Sequence, residues 1–227
     1  REIEPVAALL PAGTRVGRVA FGGGSPNAIA PSDFMHLVEA LATRFDLTDP
    51  VYSIELDPRT MTREWASTLE TVGVERASLG VQTFAAHCQQ RIGRVQSEDL
   101  IVRTTDWLRE AGVSSLNFDL MYGLPGQSRE DLLDSLHRTR VLGADRIALF
   151  GYAHVPHIVP RQRAIDASDM PDQAERFRVP LNAASLVEIR GPLQSVDGVI
   201  HVKLRHLAPL DLGKGEGKKE PPKAPIS

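Results

Sequence analysis

From about residue 16 to residue 150 the chain alternates between short apolar segments and amphipathic ones, and this alternation restricts the fold more than any other feature. Val16 to Phe21, Val51 to Leu56, Ala77 to Val81, Leu116 to Met121 and Arg146 to Phe150 each read as a strand. Between them lie helix patterns with start and stop signals. Ser32 is placed to cap a helix whose Phe34, Leu37, Val38, Leu41 and Phe45 share one face. Thr62 caps a helix carrying Trp65, Leu69 and Val72 and ending at Gly73, and Ser97 caps one that runs through Leu108 to Gly112. Ser128 and Asp131 form a capping-box pair ahead of Leu132, Leu133 and Leu136, with Gly143 closing that helix. Strand followed by helix, four times over, predicts parallel strands joined by right-handed crossovers. The fold class is therefore α/β, as an open doubly wound sheet or a (β/α) barrel. In both, functional groups gather at the carboxyl ends of the strands.

Composition narrows the partners. A formal net charge of −3 offers no electrostatic case for nucleic acid or an anionic membrane. No apolar run approaches the roughly 18 residues of a membrane span, and no signal-peptide pattern opens the chain, so the expected location is cytoplasmic. Cys88 is the only cysteine; it can neither form an internal disulfide nor hold a metal cluster by itself, and its expected role is that of a small hydrophobe. Ile3, Val6, Ala7 and Leu10 recur at helical spacing until Pro11 and Gly13, so the sequence opens inside or at the start of a helix. Residues 213–227, rich in Lys, Gly, Glu and Pro, read as a disordered tail.

Each strand end carries a polar or glycine-rich group. The first runs into Gly22-Gly23-Gly24-Ser25-Pro26, either a plain tight turn or a place where backbone N–H groups meet a carboxylate or phosphate. It is not a dinucleotide fingerprint, because Asn27 holds the last glycine position. The second strand brings Glu55 and Asp57; a carboxylate inside an apolar strand needs a cationic partner or a polar ligand. The third ends at Gln82, and the fourth carries Asp119, for which Arg94 is a natural partner, directly or through a ligand. After the fifth come Tyr152, Ala153 and His154, the last an acid, a base, a ligand or a hydrogen-bonded structural residue. Three readings stay open: an enzyme segment, a binding module without turnover, and an α/β enzyme using Glu55 and Asp119 as acid and base.

Six motifs then resemble one family in its order and spacing. They are Phe21-Gly22-Gly23-Gly24-Ser25-Pro26, Glu55-Leu56-Asp57-Pro58, Leu79-Gly80-Val81-Gln82-Thr83-Phe84, Ile92-Gly93-Arg94-Val95-Gln96, Asn117-Phe118-Asp119-Leu120-Met121-Tyr122-Gly123-Leu124-Pro125 and Tyr152-Ala153-His154-Val155-Pro156. Together with Gln162 and Asp169-Met170-Pro171 they resemble oxygen-independent coproporphyrinogen III oxidases, radical S-adenosylmethionine (SAM) enzymes, from Arg1 to Phe177. Haem-chaperone relatives share several of these motifs, while Glu-x-Asp-Pro and Tyr-Ala-His-x-Pro favour the oxidase. The resemblance implies a partial TIM-like barrel lacking its first strand, over residues 1–177, binding SAM beside a 4Fe–4S cluster. It also implies an oxidoreductase, usually monomeric, whose adenosyl radical drives oxidative decarboxylation of coproporphyrinogen III in porphyrin biosynthesis. Gly23 and Glu55 match contacts to a first SAM; Gly24, Ser25, Gln82, Arg94, Asp119 and Ala153 match contacts to a second. Ser25 stands where the family has Thr, and the hydroxyl is kept.

The chain also departs from the family. The family's Cys-x-x-x-Cys-x-x-Cys loop falls upstream of the position matching Arg1, so no metal ligand is assigned, and the chain by itself is expected to be an inactive fragment that assembles no cluster. The alternative is a non-catalytic SAM- or haem-binding remnant. From residue 178 to 212 the family pattern is lost, and Pro180 breaks the amphipathic helix expected there. A missing first strand leaves the strand at Val16 to Phe21 with an uncovered edge.

Overall fold

The computed structural model describes residues 2–170 and four later strands. In chain order the first elements are α1 (Ile3–Ala7), β1 (Arg18–Phe21), α2 (Pro31–Ala42), β2 (Val51–Leu56), α3 (Arg63–Val72) and β3 (Val74–Gln82). They are followed by α4 (Ala86–Arg91), α5 (Glu98–Glu110), β4 (Ser115–Tyr122), α6 (Arg129–Val141) and β5 (Arg146–Gly151). The later strands are β6 (Val187–Arg190), β7 (Leu193–Val196), β8 (Val199–Lys203) and β9 (His206–Pro209).

The first five strands pair in sequence order and all in parallel, as the alternating pattern predicts. Beyond β5 the sheet continues with β8 and β7, both antiparallel, while β6 and β9 pair with each other. The segment expected to depart from the family pattern contributes four short strands; residues 213–227 lie outside the described residues. At the opposite margin β1 pairs with β2 alone among the described strands, which is the uncovered edge expected from the sequence.

Side-chain alternation separates the two faces of the sheet. Phe21, Ile54, Leu56, Ala77, Leu79, Leu116, Phe118, Leu120 and Ile147 face the helices and join one core with Phe34, Trp65, Leu69, Ile101, Leu108, Leu132 and Leu136. Its aromatic centre is Phe34, whose ring centroid lies 4.7 Å from Phe21 and 5.1 Å from Trp65. The other face carries Arg18, Ala20, Ser53, Glu55, Arg76, Ser78, Asn117, Asp119, Arg146 and Phe150, and it walls a groove of about 630 Å3. One face under helices and one facing a polar hollow is barrel geometry, not a doubly wound sheet; the barrel is partial and open.

The helix starts at Thr62, Ser97 and Ser128 follow the sequence, while α1 and α2 stop at Ala7 and Ala42, short of Leu10 and Phe45, which the sequence assigned to them. Thr62 accepts from the Trp65 N–H, Ser97 from the Leu100 N–H, and Ser128 with Asp131 completes the capping box. Gly73 ends α3 in the left-handed conformation at φ +76°. Ser32 does not cap α2: Ala30 holds that position and Pro31 starts the helix, its fixed φ and missing N–H suiting the first turn.

A candidate cofactor site at the carboxyl edge

The glycine turn after β1 needs its glycines. Gly23 and Gly24 have φ of +81° and +124°, strained for any side chain. At Gly22 a Cβ would lie 3.0 Å from Glu55 Oε2, so its absence lets the Glu55 carboxylate lie against the turn. The sequence placed Glu55 within an apolar strand and in need of a partner. It is instead exposed on the groove face, and no hydrogen bond or ion pair ties it to another described residue. Ser25 precedes the single-turn helix Pro26–Ala28 without capping it, and lines a smaller hollow of about 350 Å3 with Gly22 and Gly23.

Asn27 is 3% exposed and fastens this turn to the next strand end. Its Nδ2 donates to the Asp57 carbonyl at 2.8 Å, and its Oδ1 accepts from the Asp57 N–H at 3.0 Å. The Asp57 side chain caps the single-turn helix Pro58–Thr60 and pairs with Arg59 at 2.7 Å and Arg94 at 3.2 Å. Burial by itself would raise its pKa; hydrogen bonds from Arg59 and the charges of Arg94 and Arg59 outweigh burial and lower it. The direct partner of Arg94 is therefore Asp57; toward Asp119, which the sequence reading paired with it directly or through a ligand, Arg94 acts through its charge. It also donates to the Gly80 carbonyl at 3.1 Å.

Gly80 is required by this packing. A Cβ there would lie 2.8 Å from Arg94 Nη2 and 3.0 Å from Gln82 Nε2. Gln82 itself is left-handed, at φ +67°, an uncommon state for a side-chain-bearing residue and one that recurs at functional sites. The loop after it is held by Gln89, which donates to the Thr83 carbonyl at 2.8 Å and accepts from the Gln96 N–H at 3.0 Å.

Asp119 is held by Ser78 Oγ at 2.8 Å and Asn117 Nδ2 at 2.7 Å. Burial pushes its pKa up to about 6, those two hydrogen bonds oppose the rise, and the charge of Glu55 adds to it. Glu55 and Asp119 thus share the larger groove. Gln82, Arg94 and Ala153 line a second hollow of about 550 Å3 with Met121, Tyr152 and Gln162. Phe150 belongs to both linings, so the two hollows adjoin. Gln162 fixes the loop after β5, donating to the Ala153 carbonyl at 3.0 Å and accepting from the Val155 N–H at 2.5 Å. His154 lines neither hollow; its Nδ1 is buried without a hydrogen-bond partner among the described residues.

Cys88 lies on α4, 0% exposed and away from the strand ends. Burial pushes its thiol up to about 11, aided by the Asp131 charge and opposed by Arg91. His87, Cys88 and Asp131 place one ligand atom each within 4.8 Å of one another. His87 Nε2 already meets the Gly126 carbonyl at 3.1 Å, and Asp131 is occupied by its capping box, so the trio reads as a packing cluster. Alkylation of Cys88 by iodoacetamide at pH 8 is expected to run at least tenfold slower in the native chain than in urea, because only the thiolate reacts. Equal rates, read by intact mass, count against the buried placement.

Most of the groups expected at the strand ends are therefore brought to one edge. Of the residues that hold them, Asp57 and Asn117 stood in motifs the sequence singled out, though not as positioning groups, while Asn27 and Ser78 carried no positive signal of their own.

The radical SAM superfamily profile matches residues 1–139. An oxygen-independent coproporphyrinogen III oxidase of Bradyrhizobium diazoefficiens is 38% identical over 194 residues, covering 85% of this chain and 43% of the relative. An uncharacterized protein of Sinorhizobium fredii is 41% identical over 176 residues, covering 77% of this chain and 68% of that protein. Among solved structures, the coproporphyrinogen III oxidase of Escherichia coli, described as a radical SAM enzyme, superposes with a TM-score of 0.78 at 31% identity. That match covers 92% of this chain and 47% of the other. The chain spans less than half the length of both oxidases.

Proposed function

Since the chain belongs to the radical SAM superfamily, we propose that its strand-end groups bind SAM and that it forms the SAM-binding part of an oxygen-independent coproporphyrinogen III oxidase. The observation that carries this reading is convergence: β1 to β5 bring Gly23, Glu55, Gln82, Asp119 and Ala153 to two hollows that share Phe150 and to a third at the glycine turn, with Arg94 held among them. These donors suit SAM, which presents a carboxylate, an ammonium, a sulfonium and ribose hydroxyls. The glycine turn offers backbone amides to a carboxylate, and Arg94 a cationic fork. Glu55 and Asp119 offer acceptors to ammonium and hydroxyl groups. Asp57 and Gly80 position Arg94 and leave it room.

Bound SAM supplies, in such enzymes, the group that abstracts hydrogen from substrate. The chain's own residues bind it, orient it and present an acceptor at Asp119. A 4Fe–4S cluster does not fit the residues present: it calls for three thiolates, and the chain has one cysteine, buried on α4. The chain by itself is therefore expected to bind SAM without turnover. Oxidative decarboxylation of coproporphyrinogen III is the reaction proposed for the whole enzyme, in the cytoplasm; no helix of the described residues is long and apolar enough to cross a membrane.

Calorimetric titration of the isolated chain with SAM tests the reading. Saturable binding is expected, weakened about tenfold in Glu55→Gln, the scale of one charge-assisted hydrogen bond. A folded chain that takes up no SAM at millimolar concentration would sink the proposal.

A further inference from the structure

At the amino-terminal end of the larger groove, away from the glycine turn, three arginines face the same hollow. They are Arg18 on β1, Arg76 on β3 and Arg146 on β5. Arg76 points there because the register of β2 with β3 slips by one residue: Tyr52 pairs with Val74 but Ser53 with Arg76. Val74 keeps its place in the core, the extra residue Glu75 is bypassed, and Arg76 is turned onto the groove face. Arg146 is half-buried, and Arg76 and Arg18 lie close enough that their charges lower its pKa, after burial, the larger cause.

Clustered guanidiniums ordinarily come with carboxylates. Here no ion pair joins any of the three to a described residue, although eight arginine–carboxylate pairs occur elsewhere among the described residues. Asp145, next to Arg146, forms no ion pair with it and is bonded to Arg109 at 2.8 Å and to the Leu116 N–H; its charge opposes part of the shift on Arg146. Two buried polar atoms on the same wall also lack hydrogen-bond partners among the described residues, Arg146 Nε and Asn117 Oδ1. One is a donor and the other an acceptor. On the two intervening strands the groove face brings carboxylates, Glu55 after Ser53 on β2 and Asp119 after Asn117 on β4. The groove is therefore positive at its foot and negative above it.

We propose that Arg18, Arg76 and Arg146 form a binding site for a small carboxylate that also carries an O–H or N–H donor. The carboxylate meets the guanidinium forks, which suit planar two-oxygen recognition. The donor satisfies Asn117 Oδ1, and the charge of Glu55 and Asp119 keeps the anionic end at the foot. A volume of about 630 Å3 suits a molecule of small-ligand size more than a lone inorganic ion. The site occupies the foot of the groove that the proposed SAM contacts Glu55 and Asp119 also line, and it does not require SAM to be bound there.

Citrate, a tricarboxylate with a hydroxyl, is the probe, titrated into the full 227-residue chain by calorimetry. Saturable binding is expected, at least tenfold weaker in Arg76→Gln and in Arg146→Gln, and intermediate in Arg146→Lys, which keeps charge without the fork. Arg63→Gln, at an exposed pair with Glu110, leaves binding unchanged. Without ligand, the Arg76 and Arg146 variants are expected to melt at or above the parent at low ionic strength, since each removes like-charge repulsion. Absence of saturable citrate binding, or binding indifferent to both variants, overturns the proposal. So does a marked loss of melting temperature in both variants, because the guanidiniums would then already be holding a carboxylate of the chain itself.

Discussion

Replacing Asp119 by asparagine is expected to raise the melting temperature at pH 8 and, in the same protein, to weaken SAM binding by ten- to a hundredfold. Both effects come from one buried carboxylate. Its pKa in the folded chain is about 6, above the ordinary value of 3.8, mainly through burial. A raised acid pKa means that the native state holds its proton more tightly than the unfolded state does. Stability therefore falls as pH rises from about 4 to about 6, by an amount on the order of 3 kcal/mol at most, and stays reduced above that window. Asparagine removes the charge and hence this cost. Part of the gain is lost because the amide offers one acceptor where Ser78 and Asn117 now donate to two oxygens. A net gain of about 1–2 kcal/mol at pH 8 is expected on the scale of one unmatched hydrogen bond. It should shrink as pH falls through the window and vanish near pH 4. Melting curves at pH 8 and pH 4, paired with SAM titrations at pH 8, read both effects. A variant less stable at both pH values would show that the carboxylate is a net stabilising partner.

Gly80→Ala is expected to cost SAM affinity by a comparable factor with little loss of stability. The added methyl would meet Arg94 Nη2 at 2.8 Å and Gln82 Nε2 at 3.0 Å. Both are the far ends of flexible side chains, so the fold can yield by moving them, and a fall in melting temperature of only a few degrees is expected. The displacement breaks the Arg94 contact with the Gly80 carbonyl and disturbs its ion pair with Asp57. Two groups proposed to touch the ligand are thereby moved together, a loss of about 1.5–3 kcal/mol, or tenfold to somewhat over a hundredfold. SAM affinity within twofold of the parent would mean that neither side chain contributes in its present position.

The parallel order of β1 to β5 was legible because strand and helix periods differ so plainly. The caps at Thr62, Ser97 and Ser128 were legible because each satisfies its own helix within three residues. What stayed hidden depends on contacts distant in sequence. Pro31 pre-empted Ser32 at the start of α2, a competition between two good start signals that tertiary position decided. The slip that turns Arg76 onto the groove defeats any period-two reading of β3. Arg94 and Asp119 looked like partners because each needed one; the turn after α4 gives Arg94 to Asp57 instead, 37 residues away in sequence, and leaves Asp119 to Ser78 and Asn117. The strand-end residues themselves were legible because a partial barrel gathers its strand ends on one side, whatever holds each side chain there.

The reciprocal hydrogen bonds between Asn27 and Asp57 have a mechanical consequence. They weld two turns from successive strands into one rigid plate, and the Asp57 carboxylate is the lever that runs from that plate to Arg94. A ligand that shifts the glycine turn drags this lever, and one that pulls on Arg94 loads the turn in return. If both hollows take ligands, these bonds are the route by which one would influence the other, and by thermodynamic reciprocity any factor by which the first ligand alters the second's affinity would be returned in full.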